Sequence, residues 1–312
     1  MFYALLSVIL PTFGVIAVGV LARRLGIWKE SAVEVLNKYA YYIALPALIF
    51  LSIVSLPLEE FLNPQTLKMI GGSLFIHVVL ALVIVLVWAR RGLSRAAQAT
   101  GAMLMTFGST AYMGIPFVAY LVGGNATAYA SLLSVALVVT LIVLHTLLLN
   151  RADRSSSAKS NMISFLELPF IWAVVLGLGW LFLNLPPVPM PLYRFLDVLA
   201  GSAGPTALLG IGAFLFRIRP AQIPWGTSSL AALVKVLVLP LLVFITLRWI
   251  GLDDIFVVVA TSLAAVGTAV TCFVMAEEHR VGTKETAGTI LLSTILSLLS
   301  LSVISYLWIA HA

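Results

Sequence analysis

Apolar residues run in long stretches along this chain, punctuated by short polar segments. Windows of membrane-spanning length fall at 2–22, 35–56, 66–89, 97–122, 126–149, 164–184, 191–216, 226–250, 255–276 and 286–310. Each reaches about 20 residues, the length a helix needs to cross the hydrocarbon core. A helix is also the open-ended form that satisfies its own backbone in lipid. The pattern therefore predicts an all-α integral membrane protein with ten transmembrane helices. The polar stretch 150–161, with Arg151, Asp153, Arg154, Lys159 and several serines, divides the chain near its middle. It sets expected boundaries: a first five-helix half over 1–150, a cytoplasmic linker over 151–163 and a second half over 164–312. Leu185-Pro186-Pro187-Val188-Pro189-Met190-Pro191 reads as a stiff turn between windows six and seven.

Composition turns this pattern into a choice of solvent. With 62% apolar and only 10% charged residues, the chain has too little charge to cover a water-facing surface, so lipid must cover much of it. The net charge of +6 is scattered singly or in pairs between apolar runs, a topology signal and not a nucleic-acid patch. One cysteine, Cys272, excludes an internal disulfide or a cysteine-rich metal site. The first basic pair, Arg23 and Arg24, follows the first apolar run instead of preceding it, so that run is expected to be a retained span and not a cleaved signal.

The basic residues also set direction. Of 18 lysines and arginines, 14 belong to connections after odd windows (Arg23, Arg24, Lys29, Lys38, Arg90, Arg91, Arg95, Arg151, Arg154, Lys159, Arg217, Arg219, Arg280, Lys284), 3 to connections after even windows (Lys68, Arg194, Arg248), and Lys235 lies inside a window. The bias puts the odd connections in the cytoplasm and both termini outside the cytoplasmic membrane. Two halves of five spans each must then be inverted relative to one another, an arrangement many carriers use.

Internal markers agree with this division. Pro46 in window two has a counterpart in Pro205 in window seven; His77 follows the first by 31 residues and Lys235 the second by 30. Window four contains Gly108-Ser109-Thr110-Ala111-Tyr112-Met113-Gly114-Ile115-Pro116, and window nine contains Ala265-Val266-Gly267-Thr268-Ala269-Val270-Thr271. Both stretches are weak helix formers rich in hydroxyls. Interrupted segments at matching places point to a binding site at the membrane midplane, where half-helix amino termini favour anions. The same small residues also permit close helix packing.

Taken in order, several segments resemble the auxin efflux carrier family, in the bacterial branch that includes malonate and malate transporters. They are Pro11-Thr12-Phe13-Gly14 with Gly19 and Leu25-Gly26, then Leu45-Pro46-Ala47-Leu48-Ile49-Phe50, and the window-four run 109–116 set against the family's Asn-x-Gly-Phe-Leu-Gly-Ile-Pro. Lys235-Val236-Leu237-Val238-Leu239-Pro240, Phe273-Val274-Met275-Ala276 and Leu292-Ser293-Thr294-Ile295-Leu296-Ser297 continue the likeness. The resemblance implies two inverted five-helix repeats, with broken spans four and nine crossing at the midplane around the substrate. It further implies a scaffold of spans one, two, six and seven, and often a homodimer. Ser109 stands where the family has asparagine, and Gly267 where proline is expected.

The expected substrate-binding set is Ser109, Thr110, Tyr112, Gly114, Pro116, Gly267, Thr268, Thr271 and Lys235. Lys235 lies about 15 Å into its window, too deep for easy snorkelling, and reads as a substrate counter-ion or an internal structural cation, with a surface lysine on a misplaced window boundary as the plain alternative. His77 is a coupling candidate, with a neutral histidine bonded to a backbone carbonyl as the plain alternative. His145 reads as structural. All twelve carboxylates fall in connections or near window ends, which leaves none for a midmembrane cation cage. No cofactor or metal is expected, and the coupling ion stays open between proton and sodium. There is no His-Glu-x-x-His, no midmembrane aspartate pair and no phosphate-binding loop, so neither an enzyme nor an ATP-driven motor is expected. The reading is a secondary carrier for a small organic anion, a carboxylate, dicarboxylate or auxin-like acid, working by alternating access in the cytoplasmic membrane. A channel or a ligand-binding membrane sensor is the rival class.

Overall fold

The computed structural model describes residues 2–55, 57–124, 126–152 and 169–311. Most of the expected linker 151–163 and the start of the window 164–184 lie outside the described residues. In chain order the principal helices are α1 (Leu6–Arg24), α2 (Glu30–Val54), α3 (Pro64–Arg90), α4 (Arg95–Thr106), α5 (Thr110–Leu121), α6 (Ala126–Ala152), α7 (Pro169–Phe182), α8 (Met190–Arg217), α9 (Trp225–Trp249), α10 (Asp254–Ala265), α11 (Thr271–Glu278) and α12 (Thr283–His311). Seven of them, namely α1, α2, α3, α6, α8, α9 and α12, are long and apolar enough to cross a membrane. Windows four and nine do not form single helices. The first is divided into α4 and α5 by residues 107–109, the second into α10 and α11 by residues 266–270.

Side-chain distribution suits lipid. On α3 the buried positions Thr66, Met69, Ser73, His77, Ala81 and Ile84 recur every three or four residues, and Phe75, Val79, Leu82, Val83 and Leu86 are exposed. The polar groups therefore face protein and the large apolar ones face outward, the reverse of a water-soluble helix.

Prolines shape several helices. Wide π-type turns at Ala40–Ala44, Thr110–Gly114 and Val234–Val238 each end two residues before a proline, respectively Pro46, Pro116 and Pro240. In α1, Pro11 lies within the wide turn Leu10–Gly14. Proline cannot donate to the carbonyl four residues back, and its ring crowds that carbonyl, so a widened turn relieves the clash without ending the helix. Pro205 differs from Pro46: it sits inside α8 with no such turn assigned.

Between helices in lipid, close packing replaces the hydrophobic drive. α1 and α8 meet backbone to backbone: a Cβ on Gly19 would lie 2.4 Å from the Leu209 carbonyl oxygen, and one on Gly212 only 2.0 Å from that of Ile16. At one end of this pair Glu30, opening α2, accepts from Arg23 of α1 at 2.7 Å and Arg217 of α8 at 3.2 Å. Glu30 and Arg217 are more than half exposed, so their charge contributes little and packing must hold the helices together. Gly212→Val is therefore expected to lower the melting temperature of the detergent-purified protein by several degrees or prevent folding. The penalty is that of overpacking, about 1–3 kcal/mol or more where only backbone can yield. Gly179→Ala, with open space around its Cβ position, should leave the melting temperature within a degree or two.

Candidate functional site

The site is built where the two broken windows cross. Among the described residues the one extended pairing is an antiparallel bridge between Gly108 and Thr268. It is made by the Ser109 amide donating to the Gly267 carbonyl at 2.8 Å and the Ala269 amide donating to the Phe107 carbonyl at 3.0 Å. Breaking a helix inside a protein in lipid strands donors and acceptors that water cannot reach. Here each break supplies the partners that the other lacks.

Side chains complete the pairing. The Thr268 amide donates to Ser293 Oγ of α12 at 2.8 Å, and Thr268 Oγ1 donates to the Leu104 carbonyl of α4 at 3.0 Å. Ser300 Oγ of α12 donates to the Ala265 carbonyl at 3.3 Å. From α9, Lys235 Nζ donates to the carbonyls of Ala264 and Val266 at 2.5 and 2.8 Å. A Cβ on Gly267 would lie 2.9 Å from the Thr294 backbone, so glycine here allows the crossing to press against α12.

A cavity of about 90 Å³ opens beside the crossing. One wall is Gly108, Ser109, Thr110, Ala111 and Tyr112; a second is Ala269, Val270 and Thr271; α2 contributes Tyr41, Leu45 and Ile49; and α6 contributes Ser134, Val135, Val138 and Ile142. The amino termini of α5 and α11 thus meet at one cavity. The amides of Thr110, Cys272 and Phe273 are bonded to the carbonyls of Gly108, Ala269 and Val270, and both termini carry the positive end of a helix dipole. No carboxylate stands among the lining residues. Ser134 Oγ donates to Thr110 Oγ1 at 2.8 Å, fixing one hydroxyl of the wall.

Of the residues expected to bind substrate, Ser109, Thr110, Tyr112 and Thr271 line this cavity. The others lie around it. Gly114 packs on Leu263 of α10, and Pro116 lies against Gly204 of α8. Gly267, Thr268 and Lys235 belong to the crossing itself. His77 is buried on α3 with Nδ1 2.7 Å from the Ser73 carbonyl. That carbonyl can only accept, so Nδ1 carries the proton. His145 is fully buried and stacks on Phe107 with ring centroids 6.1 Å apart. Its Nε2 is 3.0 Å from Thr106 Oγ1, whose own proton goes to the Ala102 carbonyl, which makes Nε2 the donor. Tyr41 and Ser134 were not singled out from the sequence; Tyr39 and Tyr42 stand beside the first and Ser131 near the second, and nothing in the pattern shows which of them faces the cavity.

The family model described as membrane transport protein matches residues 4–305. The chain belongs to this family, that of the auxin efflux carriers. A relative from Rhizobium meliloti (strain 1021) that bears the name "Putative malonate transporter" is 28% identical over 309 residues, 96% of this chain and 95% of its own length. Family membership and the long apolar helices together make this a multi-pass transmembrane transporter.

The crossing yields a direct test of its own bonding. Ser293→Ala leaves the buried Thr268 amide without its acceptor, a cost of about 1–3 kcal/mol. Thermal unfolding in detergent should show a lower melting temperature for Ser293→Ala. No change is expected for Ser302→Ala, an exposed hydroxyl that bonds only its own helix at the Leu298 carbonyl.

Proposed function

We propose that the protein is a secondary carrier for a small organic anion of the malonate class, moved across the cytoplasmic membrane by alternating access. The observation that carries this reading is the convergence of two half-helix amino termini on one cavity that has no carboxylate in its lining. Helix amino termini present a favourable dipole to an anion, and in a site shielded from water it acts strongly. The hydroxyls of Ser109, Thr110, Tyr112 and Thr271 can donate to carboxylate oxygens, and the apolar walls from α2 and α6 suit a short carbon chain. The name of the Rhizobium relative supports a dicarboxylate over an auxin-like acid.

The mechanism follows from the division of the chain. In this reading the ten windows form two inverted five-helix halves with both termini outside the cytoplasm. The paired α1 and α8 belong to a scaffold, and the crossing moves against it to expose the cavity to one side and then the other. A half-helix amino terminus suits this purpose, because its dipole attracts an anion while no charged side chain lines the cavity to retain it.

Labelled malonate should show saturable counterflow in proteoliposomes. Flux that rises linearly with concentration would instead describe a channel, and binding without flux a sensor. Thr271→Asp is expected to lower uptake at least tenfold with little change in melting temperature. A carboxylate at a helix amino terminus favours the helix, but here it would stand in the anion's place. Unchanged uptake by that variant would remove the cavity from the transport path.

A further inference from the structure

Lys235 is the one charged side chain among the largest fully buried residues, and three features of the chain bring it to one spot. Pro240 accompanies the wide turn Val234–Val238, which contains Lys235. Gly108 clears the space: a Cβ there would lie 2.9 Å from Nζ and 3.0 Å from Cε. The carbonyls of Ala264, in the last turn of α10, and of Val266, in the break that follows, both accept from Nζ. No carboxylate forms an ion pair with it among the described residues.

These acceptors are of a particular kind. The last carbonyls of a helix have no intrahelical donor and carry the negative end of its dipole. In carriers with discontinuous helices, unwound carbonyls and half-helix carboxyl ends are the groups that coordinate a coupling cation. Nζ is not part of the cavity lining and lies behind Gly108, which is one of its wall residues.

We propose that the Lys235 ammonium is a tethered cation that occupies a coordination position for a monovalent metal ion at the end of α10, and that the protein therefore needs no sodium to hold its crossing together. The charge that a sodium-coupled carrier would take up and release is here covalently attached. It moves with the protein and adds no ion to the transport cycle. The part of this inference that concerns transport rests on the carrier reading; the part that concerns cation occupancy does not.

Lys235→Ala removes the tethered charge and leaves its carbonyl acceptors in place. Thermal unfolding of purified protein, in sodium chloride and in choline chloride of equal strength, separates the two parts. The wild type should melt at the same temperature in both salts. Lys235→Ala should melt several degrees lower in choline and recover part of that loss in sodium or in n-propylammonium, a small free amine able to enter the vacated space. Lys235→Met fills the space with an uncharged chain and should respond to neither cation. If Lys235→Ala survives purification only when sodium or propylammonium is present throughout, the inference stands; if neither cation recovers it, the inference fails. It fails equally if sodium stabilises the wild type, or if the alanine and methionine variants respond alike. Malonate uptake by wild-type proteoliposomes should then differ less than twofold between sodium and choline media. Sodium-dependent uptake would overturn the proposal while leaving the carrier reading intact, and an absence of uptake in both media would overturn the carrier reading while leaving the melting result to stand.

Discussion

The constraint on which this fold turns is the demand of a lipid environment that backbone groups find partners within the protein. Two helices are interrupted deep in the bundle, and each interruption exposes amides and carbonyls that would be costly if left alone. The reciprocal bonds between Ser109 and Gly267 and between Ala269 and Phe107 resolve both interruptions together. Neither break is tenable without the other. This mutual dependence brings α5 and α11 amino-terminus first to a shared point, and so the cavity and its hydroxyl-bearing walls descend from it.

The surroundings of the crossing serve it unequally. α12 contributes Ser293 and Ser300, α4 a carbonyl at Leu104, and α9 an ammonium group. On the other half of the chain, His77 bonds within its own helix and His145 binds Thr106 at the end of α4. The two breaks are bonded to each other but differ in the chemistry around them. The charged clamp lies on the second break alone, and the histidines accompany the first half.

Much of this was legible in the sequence because lipid imposes simple rules. Length and apolarity marked the helices, and the runs at 108–116 and 265–271 marked the two places where a helix would yield. The depth of Lys235 was also apparent, since a lysine so far from any polar segment must find a partner inside. What could not be read was which partner. Its acceptors are backbone carbonyls some 30 residues away, and every residue has a carbonyl. For the same reason Thr268 and Gly267 read as ligand-binding candidates, although their atoms are committed to α4 and α12. A hydroxyl that binds substrate and one that ties two helices are the same in composition and differ only in direction. Prolines at positions 46, 116 and 240 announced distortion, yet whether the helix would bend, end or widen depended on packing that a linear pattern does not contain.

The glycine seam between α1 and α8 has a mechanical consequence. Where Gly19 and Gly212 face the carbonyls of Leu209 and Ile16, no side chain separates the two helices and none can change rotamer to absorb displacement. Sliding one helix along the other by a small step would drive a neighbouring side chain into a main-chain oxygen, so the seam resists shear and the pair behaves as a single stiff plank. Compliance must be sought elsewhere, in the widened turns beside the prolines, where the backbone ladder is already irregular. Stiffness and give are thus assigned to different residue types: glycine supplies the rigid joint here, and proline the pliable one.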